Sequence, residues 1–340
     1  MISSYFYITV IILINLLIFT NFRKIKNKIK LIDDPKSEVR KIHKKPISQI
    51  GGIWLMLNLF IIYFFSKNFF EIKIFNESIH DLKNFGSLWI GLVFLFLIGL
   101  IDDKLKIKTS IKSILLLFSI IIVLLIDNHL ILNTVNLSFL DKSFSIGNLS
   151  FFFTLLSILL FINATNLYDG IHLQLGFYSL FLICYFILIK LSFYFFLPIF
   201  TFIIFYLILN YKKLLFLGDN GSYVIGFLFS YLFIKSYNYG AIDYADKIFL
   251  IMILPGVDMF RLFIIRIFNK KNPFYPDQNH IHHLLLNYEK SNIIQVNLIT
   301  IFLAVSPLII SQLFNSNILG LSFFLVLYSS IIFLKKKLIR

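Results

Sequence analysis

The chain has 340 residues, 59% of them hydrophobic and only 14% charged, with 42 phenylalanines and a formal net charge of +15. A soluble domain is typically about 45–50% apolar and about 25% charged, so this composition excludes an ordinary water-soluble core and indicates a chain solvated by lipid. The surplus Lys and Arg lie between apolar runs, which fits membrane orientation and anionic headgroups and argues against a nucleic-acid partner.

A helix of roughly 17–25 apolar residues crosses a bilayer. Runs of about that length lie near 3–22, 51–66, 86–101, 111–127, 150–165, 173–190, 192–210, 221–235, 247–268, 293–313 and 317–334. The expectation is an all-α integral membrane protein of 10–11 spans, the N-terminus outside and the C-terminus cytoplasmic. With that orientation the internal segments carry 25 of the 32 Lys and Arg residues and the external ones 7, a strong positive-inside bias. The first run lacks a basic n-region and a small-residue cleavage site, so it reads as a retained span. The external loop 128–149 alternates apolar and polar residues and predicts a short β-hairpin. No internal repeat and no long linker divides the chain, which is expected to form one polytopic domain over 1–340. The single cysteine, Cys184, excludes a disulfide framework and a cysteine metal cluster.

The unusual polar residues fall on the predicted inner side, in five clusters. Residues 40–53 pair Lys44 and Lys45, suited to phosphate, with Gly51 and Gly52, which permit close backbone approach. At 99–112 the adjacent carboxylates Asp102 and Asp103 end one apolar run, and Lys112 opens the next. Two carboxylates at the mouth of a membrane helix are costly unless a cation or a polar cavity receives them. In 163–172, Asn163, Asn166 and Asp169 recur every three residues, sharing a helix face before Gly170. In 216–222, Asp219 sits in a Gly-flanked turn before a new span, where a carboxylate can reach a metal and free N–H groups can reach a phosphate. In 273–283, His280, His282 and His283 follow a proline-rich loop. Zinc is one reading of the histidines, but the hard carboxylates and amides of the other clusters favour Mg²⁺, with the histidines on phosphate. Asp258 and Arg261 are three apart within the ninth run and able to pair there, as a bundle contact at least as readily as in a site.

Taken in order, the clusters resemble the polyprenyl-phosphate N-acetylhexosamine-1-phosphate transferases of glycosyl transferase family 4, over roughly 40–290. The nearest branch is the bacterial undecaprenyl-phosphate GlcNAc-1-phosphate transferases. The matching elements are Arg-Lys-x-His-x-x-Pro followed by Gly-Gly (40–52), Gly-x-x-Asp-Asp with Lys112 (99–112) and Asn-x-x-Asn-x-x-Asp-Gly (163–170). Phe-x-Gly-Asp-x-Gly-Ser (216–222) and the Pro-x-x-Asp to His-x-His-His element (255–283) complete the set. The chain departs from the pattern at His172, Leu173, Ser48, Gln49, Gln278 and Leu116, and the spacing of Asn210 to Asp219 is one residue short. These changes bear on the sugar more than on the reaction.

The resemblance implies transfer of a sugar-1-phosphate, N-acetylglucosamine-1-phosphate or a related N-acetylhexosamine-1-phosphate, from a UDP-sugar to undecaprenyl phosphate. The products are the lipid diphospho-sugar and UMP, and the step initiates cell-surface glycan synthesis such as lipopolysaccharide O-antigen. It implies Mg²⁺, with Mn²⁺ as a substitute, held by Asp219 with Asn166 or one of the paired aspartates. It places Asp102, Asp103, Asp169, Asp219, His280, His282 and His283 in catalysis, and Lys45, Lys112, Asn163, Asn166 and Asn210 on substrates. The active site would face the cytoplasm from the bacterial inner membrane, and a homodimer is a candidate assembly. Replacing Asp102 or Asp103 by Asn is expected to cut turnover by orders of magnitude and leave folding intact. The alternatives are a family member that only binds nucleotide-sugar or lipid, and a transporter, which predicts mid-membrane charges and repeat symmetry.

Overall fold

The computed structural model describes residues 2–35, 45–69, 71–79, 81, 85–140, 142–272, 278–286 and 292–338. Each predicted apolar run becomes helix. In chain order these are α1 (Ile2–Thr20), α2 (Phe22–Ile29), α3 (Gly51–Asn68), α4 (Gly86–Leu105), α5 (Thr109–Ile126), α6 (Ser150–Tyr168), α7 (Gln174–Leu188), α8 (Phe193–Tyr211), α9 (Asp219–Asn238), α10 (Ala245–Ile251), α11 (Ile253–Phe268), α12 (Ile281–Leu286), α13 (Ile293–Leu313) and α14 (Asn317–Leu338). By length and apolar composition alone, five segments among the described residues are able to cross a bilayer: α5, α6 with its preceding turn, α8, α13 and α14. The number becomes seven when the bent pairs α1–α2 and α10–α11 each count as one span.

The ninth predicted run is not one helix. α10 and α11 meet at Met252 with an 81° bend. Pro255, in the first turn of α11, has no N–H to give, and its ring collides with the carbonyl four residues back. That carbonyl belongs to Ile251, the last residue of α10, and the Tyr178 hydroxyl on α7 donates to it instead (3.0 Å). The basic segment after α1 also gains structure. α1 turns by 69° into α2, where Phe22 is buried while Arg23, Lys24 and Lys28 are exposed. This division suits a helix lying along a bilayer surface.

α9 is the axis of the bundle. It packs most extensively against α4 and α6, and its residues from Asn220 to Tyr237 are buried. Shielded from lipid, it tolerates Asn220, Ser222, Ser230, Lys235 and Ser236 among its apolar residues. α1 and α3 are joined by a buried polar knot. The Trp54 indole donates to Asn15 Oδ1 (2.7 Å), and Asn15 Nδ2 donates to Asn58 Oδ1 (2.8 Å).

The expected hairpin is present: β5 (Thr134–Asn136) pairs antiparallel with β6 (Ser143–Ser145), Val135 opposite Phe144. Two further strand pairs form, β1 (Ile32–Asp33) with β2 (Ile47–Ser48), and β3 (Lys73–Ile74) with β4 (Glu77–Ser78). The first matters for the site: Ser48 also bridges to Leu215, with Phe216 N–H donating to the Ser48 carbonyl (2.7 Å), and fixes the strand leading into α9.

Candidate active site

The C-terminal end of α4 meets the N-terminal end of α9. Asp103 Oδ1 accepts the Asp219 N–H (2.9 Å) and its Oδ2 accepts the Asn220 N–H (3.0 Å) and the Asn220 side-chain amide. A carboxylate placed there satisfies orphan donors and sits favourably in the helix dipole. The expectation of free N–H groups at this turn is therefore corrected. Asp103 takes those of Asp219 and Asn220, and those of Gly221 and Ser222 go to the Gly218 carbonyl. The approach is close because α3 and α4 present glycines. A Cβ at Gly52 would overlap the Asn220 side chain and the Gly221 nitrogen, and one at Gly99 the Asn220 backbone.

Asp102, one residue earlier, turns to the other side. Its Oδ1 accepts the Ile107 N–H (3.1 Å), and its Oδ2 takes the Lys112 ammonium (2.6 Å). The same ammonium reaches Asp219 Oδ2 (3.0 Å), so one cation on α5 joins carboxylates from α4 and α9. From α6, Asn166 Nδ2 donates to Asp219 Oδ1 (3.0 Å) and to Ser222 Oγ (2.7 Å). The Tyr223 hydroxyl lies 3.4 Å from Asp219 Oδ2, and its ring lies 5.6 Å from the Lys112 nitrogen. Asp102, Lys112, Asn166 and Asp219 thus come together as the resemblance implies. Ser222 closes the Phe-x-Gly-Asp-x-Gly-Ser element, whereas Asn220 and Tyr223 carry no signal of their own in the sequence, although both lie within about a helical turn of Asp219.

Asp169 caps α6 through its N–H, to the Thr165 and Asn166 carbonyls (both 3.2 Å). Burial, and then the charge of Asp219, push its carboxyl up to about 7. Gly170 follows, and a Cβ there would fall on the His282 ring. His282 is fully buried, and neither ring nitrogen has a hydrogen-bond partner among the described residues. Burial, with His283 and His280 close by, holds its imidazole well below the usual histidine range, so it stands neutral. The rings of His280 and His282 stack 5.5 Å apart, and His283 lies 4.4 Å from His282. Asp258 and Arg261 do pair (2.8 Å), and Asp258 also holds His280 Nδ1 (2.8 Å).

Other expected residues stand outside this cluster. Asn163 donates to the Leu159 carbonyl of its own helix (2.9 Å). Asn210 is buried with both amide ends engaged: Oδ1 accepts the Leu173 N–H (2.6 Å) and Nδ2 donates to the Leu215 carbonyl (2.7 Å). It thereby ties the turn before α9 to the start of α7. Lys45 is exposed ahead of β2. Lys44 and the proline-rich stretch 273–277 lie outside the described residues. His172 stacks on Phe216 (4.9 Å between ring centres) at the strand leading to Asp219.

The donor set suits Mg²⁺. Two carboxylates converge on one cationic position, and Asn166 Oδ1 accepts nothing among the described residues. Mg²⁺ takes one or two protein oxygens and fills its remaining positions with water and phosphate. The zinc reading asks for three or four His, Cys or acidic ligands about one point, and no such group occurs among the described residues.

Residues 85–237, which hold the α4, α5, α6 and α9 components of this cluster, match the model of glycosyl transferase family 4. That stretch of the chain is similar to glycosyl transferase family 4. The chain is 23% identical over 340 aligned residues to the probable undecaprenyl-phosphate N-acetylglucosaminyl 1-phosphate transferase of Bacillus subtilis (strain 168), covering 95% of this chain and 89% of that one. It is 28% identical to the undecaprenyl-phosphate alpha-N-acetylglucosaminyl 1-phosphate transferase of Salmonella typhi, over 81% of this chain and 75% of the relative. The protein of the same name from Yersinia pestis is 29% identical, over 78% and 72%.

Proposed function

We propose that this transferase moves N-acetylglucosamine-1-phosphate, or a related N-acetylhexosamine-1-phosphate, from a UDP-sugar to undecaprenyl phosphate and releases UMP. The observation that carries the reading is the Lys112 ammonium held between Asp102 (2.6 Å) and Asp219 (3.0 Å), beside Asn166. The names of the relatives support the acceptor lipid and the sugar.

An oxygen of the acceptor phosphate attacks the sugar-bearing phosphorus of the donor. A new P–O bond forms, the diphosphate P–O bond breaks, and its electron pair leaves with UMP. A phosphate monoester has a second pKa of about 6, so near neutral pH the acceptor needs no strong base. What the reaction requires is neutralisation and alignment of two anions. Mg²⁺ bound by Asp219, with Asn166 or Asp102, would draw charge from the bridging phosphates. Lys112 can exchange carboxylate contacts for a phosphate oxygen while staying on the same helix turn. His282, neutral and buried, offers one N–H donor without the desolvation cost of a charge. Asp103 acts through α9, whose first turn it holds in place under Asp219.

The reading places these residues at the cytoplasmic face of the bacterial inner membrane, with eleven spans, the N-terminus outside and one transferase domain. The 25-to-7 split of Lys and Arg supports this orientation. Purified protein incubated with Mg²⁺, undecaprenyl phosphate and a panel of labelled UDP-sugars is expected to release UMP and form a lipid-linked diphospho-sugar, fastest with UDP-GlcNAc. No UMP from any UDP-N-acetylhexosamine would overturn the assignment. UMP release that persists after chelation with EDTA would remove the metal from it.

A further inference from the structure

The histidine segment is held from beneath by one carboxylate. Asp258, on α11 just past the break at Met252, is 3% exposed. Its Oδ2 meets His280 Nδ1 (2.8 Å), and both oxygens accept the Ile281 N–H (3.2 and 3.3 Å). Oδ1 also accepts from Arg261 Nη2 (2.8 Å) and from the Tyr328 hydroxyl on α14 (2.7 Å). Arg261 reaches on to the Asn279 carbonyl (2.7 Å) and Tyr328 (2.7 Å). Three consecutive residues, Asn279, His280 and Ile281, are therefore fastened by one buried network drawn from two helices.

The chemistry of that network is selective. An ionised carboxylate only accepts, so the nitrogen facing it must carry a proton. Nδ1 of His280 is then the N–H nitrogen, and in the neutral ring Nε2 is the lone-pair nitrogen. Arg261 already balances the negative charge of Asp258, so the carboxylate is free to set orientation and tautomer without demanding a charged histidine.

We propose that Asp258 is a positioning residue for His280: it fixes the ring's orientation and its Nδ1–H tautomer, so that Nε2 is the nitrogen presented to the substrates, an acceptor for a substrate hydroxyl while the ring is neutral and a donor to phosphate once it takes a proton. This rests on the transferase reading for its kinetic arm only. In protein carrying ¹⁵N-histidine, with the His280 signal assigned by its loss in His280→Ala, the neutral ring is expected as the Nδ1–H tautomer. In Asp258→Asn it should shift to Nε2–H or a mixture, because the amide can turn its N–H₂ toward the ring. A His280 signal of the Nε2–H form in the unmodified protein, or an unchanged one in Asp258→Asn, overturns the proposal whether or not the protein transfers sugar. In the kinetic arm, Asp258→Asn should lower kcat about 10-fold or more with KM little changed. Adding Asp258→Asn to His280→Ala should cost nothing further, since the partner through which it acts is gone. Additive losses in that double variant would make Asp258 a fold brace and no more.

Discussion

Helix α9 bears a carboxylate at its first residue and an ammonium three residues before its end, and the two are housed in opposite ways. At the far end Lys235 and Asp127 form an ion pair (2.9 Å) with both side chains at 0% exposure. Asp127 also accepts from Ser87 (3.0 Å), Tyr231 (2.9 Å) and the His129 N–H (3.0 Å), while Lys235 lies 5.5–5.8 Å from the rings of Phe85, Tyr231 and Tyr239. At the near end the Asp219 side chain is 30% exposed and Lys112 21% exposed, and Asp219's charged partner sits on a side chain able to move. Charge alone does not make a site. A saturated, sealed pair locks α9 to α4 and α5, whereas a pair with accessible oxygens and a mobile cation can trade partners with a ligand.

This contrast can be broken by exchange of single groups. The largest effect is expected at the near end. Asp219→Asn should reduce turnover about 10³-fold and Lys112→Met about 10²-fold, with thermal unfolding in detergent unchanged. Normal turnover in either would demote the cluster to a structural one. At the far end the outcome should invert. Lys235→Met leaves a buried, unpaired Asp127 and should destabilise by about 3–5 kcal/mol, measured by thermal unfolding, while the folded fraction keeps its specific activity. Combining it with Asp127→Leu should restore most of that stability. Loss of activity in a stable Lys235→Met protein would make the far end a second site.

Two smaller tests separate the adjacent aspartates and their neighbour. Asp102→Asn should lower turnover without lowering stability. Asp103→Asn should do both, because it weakens the anionic acceptor of the α9 first turn, a loss of about 1–2 kcal/mol. Equal stability for the two variants would contradict the division of roles. For Asp169, the folded carboxyl is raised to about 7 from an ordinary value of 3.8. Between those values the folded state holds a proton that the unfolded state has released, so its contribution is full below about pH 4 and lost as pH rises through about 7. The stability of Asp169→Asn relative to the parent protein should therefore rise as pH increases from about 4 to about 7 and hold constant above that, as read from unfolding temperatures across the pH range.

The sequence reveals the helices because membrane helices announce themselves by long apolar runs, and the hairpin because its alternation has period two. It also marks Asp102, Asn166, Asp219 and Lys112, whose residue types are costly in lipid. It is silent on Asp103 as a cap for α9, since that contact joins residues 116 apart. The Asp127–Lys235 lock is hidden for the same reason: each residue reads alone as the outer end of an apolar run. The break at Met252 had a local signal in Pro255, outweighed by the continuous hydropathy of 247–268.

The central position of α9 also bears on how the chain is made. At 20 residues α9 is long enough to cross a bilayer, but by composition it is not among the segments apolar enough to do so unaided. A helix with Lys235 and several amides and hydroxyls partitions poorly into lipid by itself. Its polar partners, Ser87, Asp103, Asp127 and Asn166, all lie on segments synthesised before it. A ribosome emitting α9 thus delivers it to a membrane already holding α4, α5 and α6. Moving its coding segment to the front of the chain would remove that reception and leave α9 to face lipid alone.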